Sequence, residues 1–253
     1  MTSQFKTDEL VIRIYETRSV MGEEAALSVT QQIKDLLSKQ DFVNIIFAAA
    51  PSQNELLSNL SMQKNIDWQR VNAFHMDEYV GLDENDYQSF SSFLKEKIFK
   101  SIPFHSVHYL DGKAADVVAE CNRYTQLLQS FPTDIVCMGI GENSHIAFND
   151  PHVANFSDTA WVKIVDLDED CRKQQVNDGC FKSFNDVPTH AFTLTVPALM
   201  KGRYIFCIVP GETKAKAVDN TLHQNINEKY PATILRTHAK AILFLDEKSS
   251  ALL

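Results

Sequence analysis

The stretch DIVCMGIGENSHIAFNDP, residues 134–151, passes from an apolar run into a loop of glycines, asparagines, acids and one histidine. A short, nearly continuous apolar run followed by a glycine turn is the mark of a strand buried on both faces of a parallel sheet. The same mark recurs along the chain. VNIIFAAA (43–50), RVNAFHM (70–76), WVKIVDL (161–167), HAFTLTV (190–196), RYIFCIV (203–209) and AILFLD (241–246) are its other apolar runs. Between them lie EEAALSVTQQIKDLLSK, NELLSNL, SFSSFLKEKIF, ADVVAECNRYTQLLQS and TKAKAVDNTL, whose apolar residues recur every three or four positions as in amphipathic helices. Strand–helix alternation implies an α/β fold: a doubly wound, mostly parallel, Rossmann-like sheet with helices on both faces. No repeat, low-complexity tract or Gly/Pro/Ser-rich linker divides the chain, so residues 1–253 are expected to form one domain.

Composition narrows the function classes. Hydrophobic residues make up 44% of the chain and charged residues 23%, values of a soluble globular protein with a sizeable core. A formal charge of -9 argues against nucleic acid or an anionic membrane as partner. The five cysteines, Cys121, Cys137, Cys171, Cys180 and Cys207, are odd in number and form no CxxC, so neither a disulfide framework nor a zinc knuckle is expected. MTSQFKTDEL at the start has no basic-then-apolar signal, and no apolar run approaches the roughly 20 residues of a membrane helix. A cytoplasmic location is the expectation.

In a doubly wound sheet, ligands bind beyond the carboxyl ends of the strands, so the residues just after each run carry the candidates. After the second run, Asp77 and Glu78 are adjacent acids in FHMDEYVGL. Neighbouring side chains diverge, so at most one faces a ligand, as a general base; otherwise they are a helix-start acid and a loop acid. In the opening stretch Gly139 and Gly141 allow close backbone approach to a ligand, but the third glycine of a dinucleotide fingerprint and the lysine of a phosphate-binding P-loop are absent. His145 with Asp150 offers too few ligands for a zinc site. The pair suits an imidazole tuned for proton transfer, or a loop histidine bonded to backbone. Ser52 and Glu55 in S-Q-N-E have capping-box spacing, and a helix start there presents N–H groups to a phosphate. Lys214, at the start of another helix, can pair with a phosphate or simply stay solvated. Arg236 and His238 in PATILRTH are further polar residues ahead of the last run.

FHMDEYVGL, GIGENSHIAFNDP, PGETKAKAV and PATILRTH, in this order, resemble the glucosamine-6-phosphate deaminase (isomerase) family, which shares a superfamily with 6-phosphogluconolactonase. The resemblance implies conversion of glucosamine 6-phosphate and water to fructose 6-phosphate and ammonia, without cofactor or metal. By it, Asp77 is the carboxylate that moves a proton between C2 and C1. His145 assists ring opening, Asp150 orients it, and Asn143 stands at an Asp/Asn position of the catalytic set. Ser52, Gln53, Gly141 and Lys214 fall where the substrate and its phosphate bind. Two departures stand out. The family's PTGGTP-like phosphate loop reads AAAPSQNEL here, with Pro51 lacking an N–H. The family's arginine before a Phe-Phe pair is missing from VNDGCF, leaving Arg172 and Arg236 as the expected replacements. Ser144 also stands where the family has glycine. A galactosamine epimer as substrate, lactone hydrolysis, and a sensor without turnover are the alternatives, and a sugar phosphate is the expected partner in each. Family members occur in several homo-oligomeric states.

Overall fold

The computed structural model describes every residue from Met1 to Leu253. Its main sheet has eight strands: β1 (Ser3–Thr7), β2 (Leu10–Tyr15), β3 (Val43–Phe47), β4 (Val71–His75), β6 (Ser106–His108), β7 (Ile135–Met138), β10 (Tyr204–Val209) and β11 (Ala241–Asp246). They lie in the order β1-β2-β11-β10-β7-β3-β4-β6. All neighbours pair in parallel except the β1–β2 hairpin at one edge. The expected doubly wound sheet is therefore present. From β3 the chain winds outward through β4 to β6, then returns to β7 and winds the other way through β10 to β11. β3 and β7 are neighbours whose onward connections diverge, which makes their carboxyl ends the switch point where a crevice opens.

Side chains alternate across each strand, so the continuous apolar runs feed two cores. Val43, Ile45, Phe47, Ile135, Cys137, Phe206 and Ile208 join one core with α1 (Arg18–Leu37) and α2 (Asn54–Ser61). Ile46, Val136, Met138, Ile205, Cys207 and Val209 join the other with α4 (Val117–Ser130) and α7 (Ala215–His223). Burying each such side chain contributes about 1.5–3 kcal/mol, which is why the runs carry no polar alternation. Cys137 and Cys207 pack as small hydrophobes, and all five cysteines are free. No helix is long and apolar enough to cross a membrane.

Three expectations change. The runs at 161–167 and 190–196 do form strands, β8 (Val162–Asp166) and β9 (His190–Leu194), but not in the parallel sheet. They pair antiparallel in a separate three-stranded sheet with β5 (Asp77–Tyr79). Apolarity reports burial, and these strands bury against both cores without entering the main sheet. The hairpin β1–β2 adds to the expected strands: β1 is exposed along nearly its whole length and Arg13 interrupts the apolar run of β2, so neither shows a continuous buried run. The capping box at Ser52 does not form. Pro51–Gln53 is a turn of 3-10 helix ahead of α2, without a side-chain cap, and Glu55 pairs with Arg18 at 2.8 Å.

Candidate active site

The carboxyl ends of β3, β4, β7 and β10 enclose a cleft of about 230 Å³ at the switch point. Its walls include Ser52, Asp77, Gly139, Gly141, His145 and Lys214. These come from four separate stretches of chain that the parallel sheet aligns at one end.

Asp77 opens β5, and its partner across the small sheet is Thr193. Strand alternation turns Asp77 and Glu78 to opposite faces. Asp77 faces the cleft, nearly buried, and its Oδ1 accepts no hydrogen bond. Burial raises its carboxyl well above the usual carboxylate range, and the neighbouring Glu78 adds to this. Glu78 turns inward. Its carboxylate accepts from the backbone N–H of Tyr79 and, at the start of α3 (Phe90–Leu94), from the N–H of Phe90 and Ser91 and from Ser91 Oγ. One of the adjacent acids thus faces the cleft and the other holds the wall. Behind them lies His75, wholly buried. Leu110 N–H donates to its Nε2 at 2.9 Å, so Nδ1 carries the proton and donates to the carbonyl of Asp77 at 2.8 Å. Burial holds this imidazole neutral, with a pKa lowered to about 4. It therefore anchors the backbone that presents Asp77.

His145 sits in a tightly wound loop. Its carbonyl accepts from Gly141 N–H at 2.9 Å, and its own N–H donates to Asn143 Oδ1 at 3.1 Å. Ser144 and Ala147 have φ of +71° and +48°, a left-handed geometry that L residues seldom adopt and that concentrates at functional loops. The left-handed φ at Ser144 is one that glycine adopts most readily. Asn149 holds the loop to β9 through its amide, donating to the carbonyls of Ile146 and Leu194. His145 Nδ1 lies 2.9 Å from Asp150 Oδ1. Asn143 Nδ2 donates to the same oxygen at 2.9 Å. Burial pushes the Asp150 carboxyl up, but the His145 imidazole and the Asn143 amide outweigh it and leave Asp150 below the usual range. Asn143 does not line the cleft; it orients both members of the pair.

At the other end, Lys214 is nearly buried, lines the cleft, and has no carboxylate within 4.0 Å of its ammonium. Burial lowers its pKa, partly offset by Asp178 and Glu142. It follows Gly211, whose φ of +93° turns the chain from β10 into the helical segment that continues as α7, and whose N–H donates to Asp246. Ser52 Oγ accepts from the amide of Gln53 at 3.1 Å.

Three expected contacts fall elsewhere. Gln53 does not line the cleft, because its amide turns into the core and donates to the carbonyl of Ile208 at 3.2 Å. Arg172 binds the carbonyls of Phe184 and Val187 and stacks over the Phe184 ring at 4.0 Å. Arg236 pairs with Asp8 and donates to the carbonyl of Gln224, tying the last turn to the edge hairpin. Neither guanidinium lines the cleft. The arginine in the cleft is Arg18, at the start of α1, which donates to the carbonyl of Pro51 and pairs with Glu55. Gln174, Gln175 and Asp178, from α5 (Glu169–Asn177) and its end, complete the wall. Arg18 follows β2, so recognising LVIRIY as a strand would have put it among the residues just past a strand's carboxyl end.

Residues 16–244 match the family model for glucosamine-6-phosphate isomerases/6-phosphogluconolactonase. A glucosamine-6-phosphate deaminase of Bacillus cereus (strain B4264) is 34% identical over 231 residues, 91% of this chain and 86% of its own length. The Bacillus cytotoxicus deaminase is 38% identical over 192 residues, 76% of this chain and 71% of its own. Among solved structures, a monomeric glucosamine-6-phosphate deaminase superposes with a TM-score of 0.87 at 28% identity, covering 96% of this chain and 99% of that one. The Thermotoga maritima 6-phosphogluconolactonase, at 21% identity and a TM-score of 0.77 over 94% of this chain and 99% of that one, shares the fold. With the switch-point cleft, the Asp77 wall and the His145–Asp150 loop in place, the chain belongs to the glucosamine-6-phosphate isomerase/6-phosphogluconolactonase family.

Proposed function

We propose that the protein is an amino-sugar-phosphate deaminase/isomerase, converting glucosamine 6-phosphate and water to fructose 6-phosphate and ammonia. The observation that carries this reading is Asp77. It is a carboxylate facing the cleft, sheltered from water, with a raised pKa and an uncommitted oxygen. Those are the properties of a base that takes a proton from carbon and returns it to the next carbon. Lactone hydrolysis needs only a base for water and has no use for it. His145, backed by Asp150, moves the ring-oxygen proton as the pyranose opens, and Asn143 holds that pair in register.

The phosphate end is recognised by side chains more than by a glycine loop. Pro51 has no N–H, and Gln53 N–H is committed to the carbonyl of Ala50, so Ser52 supplies the turn's free backbone donor and a hydroxyl. Lys214 and Arg18 add the positive charge that the altered loop lacks. A buried lysine without an anionic partner is costly in the free protein, and a phosphate relieves that cost on binding.

The test is incubation of the purified protein with glucosamine 6-phosphate, its galactosamine epimer and 6-phosphogluconolactone, following ammonia, ketose phosphate and lactone loss. Ammonia and ketose phosphate in equal amounts from glucosamine 6-phosphate are expected. Lactone loss without ammonia would overturn the proposal. Lys214→Ala is expected to raise KM for the sugar phosphate about 10–100-fold, the loss of one charge-assisted contact, with a much smaller change in kcat. An unchanged KM would remove Lys214 from the phosphate site.

A further inference from the structure

Behind the catalytic imidazole, on the side away from the cleft, lies a third group with metal-binding chemistry. Cys171, in the first turn of α5, places its sulfur so that His145, Asp150 and Cys171 each offer one ligand atom within 4.8 Å of the others. All three residues are buried. Twenty-six positions separate Cys171 from His145, and Asp168 brings them together by capping α5 through the N–H of Cys171 while lying 3.4 Å from the amide of Asn143. A second observation points the same way. Asp150 Oδ2 is sealed from solvent and takes no hydrogen bond from any nitrogen or hydroxyl, and the Cys171 thiol is the further group that reaches this carboxylate.

We propose that this trio is an inhibitory site for a borderline-soft divalent cation of the zinc type, separate from the chemistry of the reaction. Thiolate, imidazole nitrogen and carboxylate are the donor types zinc prefers, and three protein ligands are enough when the fourth position is taken by water. The distances require only small side-chain adjustments to close around an ion. Binding releases the thiol proton, and the single imidazole proton moves from Nδ1 to Nε2 as Nδ1 takes up the ion. A neutral imidazole held through Nδ1 then carries its proton on Nε2 and has no lone pair with which to accept another. The metal thus removes His145 as a proton acceptor and Asp150 as its orienting group without entering the sugar site.

The inhibition rests on the deaminase reading; the binding does not. Metal-free protein is titrated with Zn²⁺ by calorimetry and with Co²⁺ by absorbance, in phosphate-free buffer. One equivalent of each is expected to bind, Co²⁺ giving a near-ultraviolet thiolate-to-cobalt charge-transfer band, and binding should strengthen as pH rises. Cys171→Ser, whose sulfur does not line the cleft, is expected to keep its deamination rate, lose the band, and need at least ~100-fold more Zn²⁺ for half-inhibition. Loss of a partner one shell further out already costs about 10–100-fold in affinity. Cys171→Ala serves as a second variant should serine fold poorly, and Cys180→Ser, at the half-exposed thiol, should keep both band and inhibition. Equal zinc sensitivity in wild type and both Cys171 variants, or a band lost only with Cys180, would overturn the proposal. Should the protein release no ammonia from any substrate, the cobalt band still decides the site.

Discussion

Asp77→Asn is expected to lower kcat for ammonia release by about 10²–10⁴-fold, the usual contribution of a positioned general base, while leaving sugar-phosphate affinity nearly intact. The amide keeps the shape of the carboxyl group and cannot take a proton from carbon. Lys214 and Ser52, at the other end of the cleft, are untouched. Wild-type rates in this variant would remove Asp77 from its role. The pH profile gives a second reading. Asp77 must be ionised to act, and burial with Glu78 beside it raises its pKa. In the wild type, kcat/KM should therefore fall as pH drops through a value above the ordinary carboxylate range, and Asp77→Asn should lack that limb. Stability should move the opposite way. An acid whose pKa is raised by folding favours the fold while protonated, and that contribution is lost as pH rises through the folded pKa. Above its folded pKa the wild type bears the cost of a buried charge that the amide avoids. The variant's Tm should equal or exceed the wild type's, a trade of stability for activity.

Gly141→Ala is expected to cost about 10²-fold or more in kcat while leaving the fold intact. A Cβ at this position would stand 2.1 Å from Cε1, 2.2 Å from Nε2 and 2.4 Å from Nδ1 of His145. The imidazole cannot share that space and must swing off Asp150. Displacement of a reacting group by about 1 Å is enough for a loss of that size. Gly141 has no left-handed φ, so alanine strains nothing in its own backbone, and the effect reports on His145 alone. Its checks are steady-state ammonia release and thermal unfolding together. A rate within about threefold of wild type would mean that the imidazole does not work in the position seen here, since far larger losses follow misplacement.

Much of this architecture is local in origin. The apolar runs of β3, β4, β7, β10 and β11 are readable because burial on both faces leaves no polar alternation to confuse them. The hairpin β1–β2 escapes that reading because half its side chains face water, and with it went the position of Arg18. The runs that became β8 and β9 show the limit from the other side: their apolarity is real, but nothing in it says which sheet they join. Asp77, His145, Asp150, Ser52 and Lys214 were legible as residues just past strand ends, a rule that depends on topology alone. Glu78, one position from Asp77, could be separated from it only by the pairing of β5 with β9, which turns one carboxylate to the cleft and the other onto the start of α3.

The amino-acid sequence by itself determined the strand and helix order, the doubly wound sheet, and the loops that carry the acid and the imidazole, since each follows from the periodicity and turn chemistry of a few neighbouring residues. Only the tertiary structure decided which distant side chains share the cleft. It turned Gln53 into the core, spent Arg172 and Arg236 on backbone carbonyls, brought Arg18 and Gln174 to the wall, and set Cys171 behind His145. A charged side chain binds whatever the packing of remote elements places within its reach, and no local pattern encodes that distance.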